Sequence, residues 1–179
     1  MTILHHQGID LPTGTWTVDP VHSSVGFSVK HMLVASFRGG FGTFDVTLDE
    51  DGLRGTVDVS TVDVSEPNLN EHLLAPDFFD AERHPQISFR STAIRLAGEA
   101  IDVDGELTIK GTTRPVTISG TFNGPVTYLD GSQRIALELE TAVDRTAFGL
   151  DWNAPLPSGG LALGNEVKLH AELELIGAA

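Results

Sequence analysis

The stretch Val167-Lys168-Leu169-His170-Ala171-Glu172-Leu173-Glu174-Leu175 carries the strongest structural signal in this chain. Its apolar side chains stand at every second position and alternate with charged or polar ones. Because successive side chains of a β-strand point to opposite faces, this period of two predicts a long strand with one apolar and one polar face. Residues 135–140 (IALELE) predict a second long strand of the same kind.

The same alternation recurs upstream in shorter runs, separated by turn signals such as Asp51-Gly52 and Asp130-Gly131, which favour tight hairpins. The runs are residues 25–30, 44–49, 57–60, 87–96, 107–110 and 116–119. The total is about eight strands, which exceeds the ~4–6 strands of a common sheet. An antiparallel sheet of this size with one apolar face must close or fold over to cover that face. The predicted fold class is therefore all-β.

One segment breaks the strand pattern. Residues 65–75 predict a short helix, because Ser65 is a suitable N-cap, Pro67 suits the first turn, and Leu69 and Leu73 are four residues apart. We expect this helix to lie across one end of the barrel. The expected organisation is a flexible leader over residues 1–14 and a single domain over residues 15–179.

Composition excludes several classes of function. The formal net charge is −14, from 25 acidic and 11 basic residues, so nucleic acid is not an expected partner and a basic membrane-docking patch is disfavoured. The absence of cysteine excludes thiolate catalysis and cysteine metal sites. The first ten residues contain no Lys, no Arg and no apolar run, and no stretch of 18 apolar residues follows. We therefore expect a cytoplasmic protein without a membrane span.

The interior of an eight-stranded barrel is either filled by its own side chains or holds one ligand, and the alternation alone does not distinguish the two. Polar candidates are few. His22, His31 and His72 could meet in a scattered zinc site, but no metal motif joins them, and we predict neither a metal site nor a cofactor. No Gly-x-Ser-x-Gly elbow is present, and we predict no catalytic residues. The Gly- and Pro-rich residues 153–164 form either a lid or an ordinary surface loop.

Five segments in the same order resemble the YceI family. They are residues 16–32 (WTVDPVHSSVGFSVKHM), 37–41 (FRGGF), 72–73 with 77–91 (HL with DFFDAERHPQISFRS), 105–116 (GELTIKGTTRPV) and Arg145 with Phe148-Gly149. The resemblance implies a lipocalin-like, eight-stranded antiparallel barrel with a helix near one end. It also implies an apolar tunnel for a long isoprenoid chain, such as a polyprenyl phosphate or an isoprenoid quinone. Asn70-Glu71 departs from the family, in which an Arg-Asp pair is common at this point.

The resulting hypothesis is a non-enzymatic protein that binds, stores or transports a polyisoprenoid. The alternatives are an enzyme acting on a small hydrophobic substrate and a stress or structural protein with a filled core. A flat outer face of the barrel could also pair with a second copy, so a homodimer stays open. The predicted tunnel lining is Phe27, Val29, Phe44, Val46, Phe89, Leu107, Ile118 and Leu137. The candidates for contact with a head group at the mouth are His31, Arg38, Arg114 and Arg145. For the three arginines the alternative is structural pairing at a strand end.

Overall fold

The computed structural model describes residues 2–6 and 11–179, and these residues form β-strands, one short α-helix and three single helical turns. The helix is α1 (Pro67–Leu74). The strands are β1 (Thr2–His6), β2 (Trp16–Val18), β3 (Ser24–His31), β4 (Ala35–Phe41), β5 (Phe44–Asp49), β6 (Gly52–Asp58), β7 (Val62–Asp63), β8 (Gln86–Ala97), β9 (Ala100–Ile109), β10 (Thr112–Thr127), β11 (Gln133–Asp144) and β12 (Leu163–Gly177). No helix in this part of the chain has the length and apolar character needed to cross a bilayer.

The strands form one closed antiparallel barrel. Its wall has eight strand positions, since three pairs of short strands each share one position: β2 with β3, β4 with β5, and β6 with β7. Each position pairs with the next along the chain. The last strand, β12, pairs with β11 on one side and with β2 and β3 on the other, which closes the barrel. The prediction of an all-β, eight-stranded antiparallel barrel is confirmed.

Two local predictions near α1 need correction. The N-cap is Glu66 rather than Ser65: the Glu66 carboxylate accepts a hydrogen bond of 2.7 Å from the backbone N–H of Leu69, whereas Ser65 lies at a positive φ of 62° outside the helix. The strand predicted for residues 57–60 ends at Asp58, whose carboxylate caps a helical turn over Val59–Thr61. The second difference arises because the short Asp58 carboxylate can bond to the backbone locally and compete with strand pairing.

Part of the predicted leader is paired with the barrel. β1 lies parallel to β8, with Thr2 opposite Ala93 and His6 opposite Ala97. Residues 1 and 7–10 of the leader lie outside the described residues. The flexibility of the leader stays a prediction.

One end of the barrel, which we call the closed end, is filled by side chains. The inward residues of all eight positions pack there around Phe122 and Val103, which are fully buried, and around Trp16 from β2. Arg134 ties this end together, since its Nη1 donates to Asp19 Oδ2 and to Glu174 Oε1 at 2.7 Å each. The closed end is therefore the rigid floor of the barrel.

Candidate functional site

The opposite end, which we call the open end, has a break in the barrel wall. β7 contains two residues and pairs with β4, and β8 begins only at Gln86. The intervening segment carries α1, and its residues Leu69 and Leu73 face the barrel interior with Phe78. The helix covers the interior at this break in the wall, and its Asn70 side chain donates to Asp63 of β7.

A cavity of about 350 Å³ lies under this cover, and we call it the outer chamber. All of its lining residues are apolar except His31 and Arg145. They are Phe27, Val29, His31, Phe37, Phe41, Leu69, Leu73, Phe78, Phe79, Ile87, Ile109, Val143, Arg145, Leu150, Trp152, Ala162, Leu163, Val167 and Leu169. The volume lies within the ~300–1,000 Å³ range of small-molecule sites, so the barrel is not a filled core.

A second cavity of about 140 Å³, the inner chamber, lies deeper in the barrel. Four residues line both chambers, and these residues form the junction between them: Phe41, Ile87, Ile109 and Leu169. Leu139 and Leu173 mark the inner chamber's border with the closed-end core. The two chambers therefore follow one another from the open end toward the floor.

Two glycines explain how the barrel keeps this space despite its bulky aromatic residues. A Cβ on Gly39 would lie 2.5 Å from Cζ of Phe27, and a Cβ on Gly105 would lie 2.5 Å from Cζ of Phe89. Each phenyl ring thus rests on the bare backbone of a glycine in the wall. A ring held against the wall leaves the centre of the barrel open.

Seven of the eight predicted lining residues border the chambers. Phe27 and Val29 line the outer chamber. Phe44, Val46, Phe89, Leu107 and Ile118 line the inner chamber. Leu137 borders neither chamber, because it points inward below the inner chamber and packs into the closed-end core, opposite Phe122 and Leu173. Alternation identifies inward residues, but it does not tell at which height of the barrel the filled floor begins.

Arg145 is the charged residue of the outer chamber, and it is 5% exposed. It lies in the helical turn Arg145–Phe148 that follows β11. Its guanidinium donates to three backbone carbonyls: Nε to Gly164 at 2.8 Å, and Nη1 to Trp152 at 2.9 Å and to Leu150. These bonds hold the connection between β11 and β12 against the barrel. Burial lowers the pKa of the Arg145 side chain below its ordinary value.

One nitrogen of this guanidinium, Nη2, is buried and has no hydrogen-bond partner among residues 2–6 and 11–179. A buried donor without a partner is costly, and in native proteins it calls for an explanation. The carboxylate of the neighbouring Asp144 does not accept a hydrogen bond from Nη2, since it caps the helical turn by accepting from Thr146. Arg145 therefore combines a structural role with one unused donor at the chamber wall.

The other mouth candidates lie in different places. His31 lines the outer chamber and stacks obliquely on Phe37, with ring centroids 6.4 Å apart. Arg38 is exposed on β4 and points away from the chambers, as its inward neighbour Phe37 shows. Arg114 is exposed on β10, and its Nε donates to the carbonyl of Ala147. Of the four candidates, only His31 and Arg145 line the outer chamber.

The cover of the outer chamber joins His72, which the sequence suggested only as a possible zinc ligand, to Trp152, which the sequence analysis missed. His72 of α1 places its ring edge-on to Trp152 and to Phe78, with centroids 4.9 and 5.0 Å apart, and its Nε2 is 3.0 Å from Asp77 Oδ2. This cluster joins the helix to the connection between β11 and β12. Trp152 could have been suspected as a large aromatic residue beside a Gly- and Pro-rich loop, but its partner lies 80 residues earlier in the chain.

Comparison with known proteins identifies the family. A model of the YceI-like domain matches residues 16–175. This chain belongs to the YceI family. A UPF0312 protein of Staphylococcus aureus (strain USA300) is 32% identical over 167 residues, which cover 89% of this chain and 95% of that protein.

Solved structures share the YceI-family barrel. BcnA of Burkholderia cenocepacia is 26% identical with a TM-score of 0.72, and the match covers 88% of this chain and 98% of that one. A polyisoprenoid-binding domain from Saccharophagus degradans, implicated in plant cell wall breakdown, is 12% identical with a TM-score of 0.69, and the match covers 91% of this chain and 98% of that one. At 12% identity this second match shows the fold alone.

This YceI-family chain has Asn70 and Glu71 where an Arg-Asp pair is common in the family. Asn70 has a structural role here: its Oδ1 accepts from the backbone N–H of Val64 at 2.8 Å, and its Nδ2 donates to Asp63 at 3.3 Å. Glu71 is exposed on α1. Asn70 thus fixes the start of the helix that covers the outer chamber.

The histidines considered for a zinc site do not converge in this barrel. His22 lies at the closed end, where its Nδ1 is 2.8 Å from Asp19 Oδ2, whereas His31 and His72 lie at the open end. Asp19, His22 and Glu174 do place ligand atoms within 4.8 Å of one another. Arg134 already pairs with both of these carboxylates, so the cluster is an ion-pair network that a metal ion would have to break.

Proposed function

We propose that this protein binds the apolar chain of a long lipid, a polyisoprenoid, in the two chambers of its barrel. The observation that carries the proposal is the apolar outer chamber of about 350 Å³ and its continuation into the inner chamber. An empty apolar space of this size forfeits dispersion contacts, so a filled barrel would be more stable unless a ligand occupies it.

The shape of the space favours a chain over a compact molecule. A cavity of roughly 150 Å³ holds one benzene ring, a six-carbon group. By that measure the outer chamber takes between two and three isoprene units and the inner chamber about one, arranged end to end. Each unit of five carbons contributes roughly 4 kcal/mol gross at ~0.8 kcal/mol per buried CH₂. Recognition would therefore rest on the apolar chain, and a longer chain would extend through the open end.

Arg145 supports a ligand with a polar oxygen near the chamber. Its unused Nη2 donor suits a phosphate oxygen or a quinone carbonyl, the head groups of a polyprenyl phosphate and an isoprenoid quinone. His31 lies at the same chamber and could contribute a second contact. The common fold with the polyisoprenoid-binding domain of Saccharophagus degradans supports the same class of ligand.

The proposal is a binding role, in storage or transport, rather than catalysis. An enzyme acting on a small hydrophobic substrate needs an acid, a base or a metal that converges on the substrate. The polar residues that line the outer chamber are His31 and Arg145. The nearby carboxylate of Asp77 pairs with His72, and that of Asp144 caps a helical turn, so neither supports an acid–base pair in the chamber.

Native mass spectrometry of the purified protein, followed by organic extraction of what it retains, tests the proposal. A retained polyprenyl lipid or quinone, with a mass that disappears after extraction, is the expected result. Apo protein that stays apo after incubation with polyprenyl phosphates and with isoprenoid quinones in detergent would overturn the proposal. Incubation with a straight-chain fatty acid of similar length serves as the control for unselective uptake.

A further inference from the structure

The hairpin between β3 and β4 exposes a group of apolar side chains beside the outer chamber. Met32, Leu33 and Val34 form its tip and are 47%, 70% and 84% exposed. Met32 and Leu33 adopt positive φ values of 52° and 64°. Bulky apolar residues are rare in that conformation, where Asn and Gly are favoured. Neither packing nor turn geometry therefore explains these residue types.

A second loop joins the hairpin tip. The backbone N–H of Met32 donates to the carbonyl of Ala162 at 2.8 Å, and a Cβ on Gly160 would lie 3.4 Å from Leu33 Cδ1. Leu161, which is 48% exposed, extends the apolar surface. We call Met32, Leu33, Val34 and Leu161 the apolar tip.

The two loops of the apolar tip contain no acidic residue within residues 30–38 and 152–165, although Asp151 and Glu166 directly flank the second range. Lys30 and Arg38 flank the hairpin, both are exposed, and neither makes an ion pair within the part of the chain that the structure describes. The tip therefore carries exposed cationic groups beside its apolar side chains.

We propose that the apolar tip inserts into the surface of a lipid bilayer and holds the open end of the barrel against it. The inference deepens the proposed function and rests on it for one step, the passage of lipid between bilayer and chamber. His31 and Ala162, which adjoin the tip in sequence, line the outer chamber, so an inserted tip places the chamber at the bilayer surface. In this orientation Lys30 and Arg38 lie beside the tip, at the level of the lipid head groups.

A projecting tip of four side chains suits a bilayer better than a protein partner. A stable protein interface buries about 800 Å² on each side and needs a complementary surface. A bilayer needs only apolar groups that reach beyond the rest of the protein, with cationic groups at the level of the head groups. The exposed hairpin provides both.

The first test compares two substitutions of exposed leucines at opposite ends of the barrel. Leu33→Glu alters the apolar tip, and Leu129→Glu alters a side chain that is 95% exposed at the closed end. Removing one inserted leucine should reduce partition into vesicles of phosphatidylcholine with phosphatidylglycerol by roughly tenfold or more in a sedimentation assay. Leu129→Glu should change it less than twofold. Equal effects of the two variants, or no vesicle binding by the unaltered protein, would overturn the inference.

The second test locates the inserted residue directly. The chain contains no cysteine, so Leu33→Cys and Leu129→Cys each accept a single environment-sensitive fluorophore. Vesicles should shift the emission of the label at position 33 to shorter wavelength and leave the label at position 129 unchanged. A shift at both positions, or self-association that Leu33→Glu abolishes without vesicle binding, would overturn the inference, and the latter would assign the tip to a second copy.

Failure of this inference is distinguishable from failure of the proposed function. Detergent-solubilised polyprenyl phosphate reaches the chamber without a bilayer, so Leu33→Glu should load from detergent as the unaltered protein does and load more slowly from vesicles. Equal loading rates of the two proteins from vesicles would contradict docking at the tip. If neither protein loads from detergent, the proposed function fails, whereas vesicle sedimentation still decides whether the tip binds lipid.

Discussion

The junction between the chambers allows chain recognition to be tested by one substitution, Leu169→Trp. Leu169 lines both chambers and is half-buried, so an indole at this position should occupy the passage and cut off the inner chamber. The inner chamber of about 140 Å³ takes one isoprene unit. Excluding that unit removes up to about 4 kcal/mol of gross apolar burial, at ~0.8 kcal/mol per CH₂. Affinity for a long polyprenyl chain should therefore fall by about thirtyfold to a thousandfold.

Titration of a fluorescent polyprenyl analogue measures this effect, and a two-unit analogue that fits the outer chamber serves as the internal reference. We expect Leu169→Trp to weaken binding of the long analogue and to leave the short one within about threefold, which corresponds to less than 1 kcal/mol. Leu137→Met, in the core outside both chambers, is the matched control and should change neither affinity. An equal loss for both analogues, with unaltered thermal unfolding, would refute the end-to-end arrangement of the chambers.

Three further predictions concern the wall, the buried arginine and the closed end. Gly39→Ala should drive the ring of Phe27 into the lumen and lower the amount of lipid that the protein retains in native mass spectrometry. Gly40→Ala is the control and should preserve that amount, because its Cβ would meet its nearest atom at 3.4 Å. Equal lipid retention by the two variants would contradict the role of the bare backbone at Gly39. Arg145→Lys keeps the charge but loses at least two hydrogen bonds to backbone carbonyls. The free energy of unfolding measured in urea should therefore fall by about 2–4 kcal/mol. An unchanged unfolding midpoint would argue against a stabilising role of these bonds. The bond to His22 lowers the pKa of Asp19 from 3.8 to about 2, so Asp19 should contribute about 2 kcal/mol to the fall in unfolding free energy as the pH drops from about 4 to 2. Asp19→Asn should lose this share and keep the share of Asp104, whose pKa is also lowered to about 2. The pKa of His22 is raised by the same bond, so its contribution is present below pH 6.5 and is lost as the pH rises through that raised value.

Strand alternation in the sequence is sufficient to predict the barrel. Alternation over residues 167–175 and 135–140 settles which side chains face inward, since the period of a strand is a local property of the backbone. A sheet of this size with one apolar face has few ways to cover that face. The resemblance to the YceI family placed the helix near one end. Because alternation identifies the inward-facing side chains, seven of the eight predicted lining residues border a chamber.

The position of the hollow part of the barrel depends on packing between distant residues, which alternation does not reveal. Leu137 and Leu107 have the same sequence signature, yet Leu137 packs into the floor while Leu107 borders the inner chamber. The difference depends on how Phe27 and Phe89 rest on glycines of other strands, a contact between residues far apart in the chain. Packing of this kind has no local pattern in sequence.

The charge of the open end was likewise beyond the sequence alone. A net charge of −14 predicts a molecule that anionic surfaces repel, and as an average over the chain it disfavours a basic docking patch. Folding brings residues 30–38 and 152–165, two segments without an acidic residue, together into one small surface, while acidic residues lie elsewhere at both ends of the barrel. Net charge is a sum over the whole chain, whereas a docking surface depends on which few residues the fold places side by side.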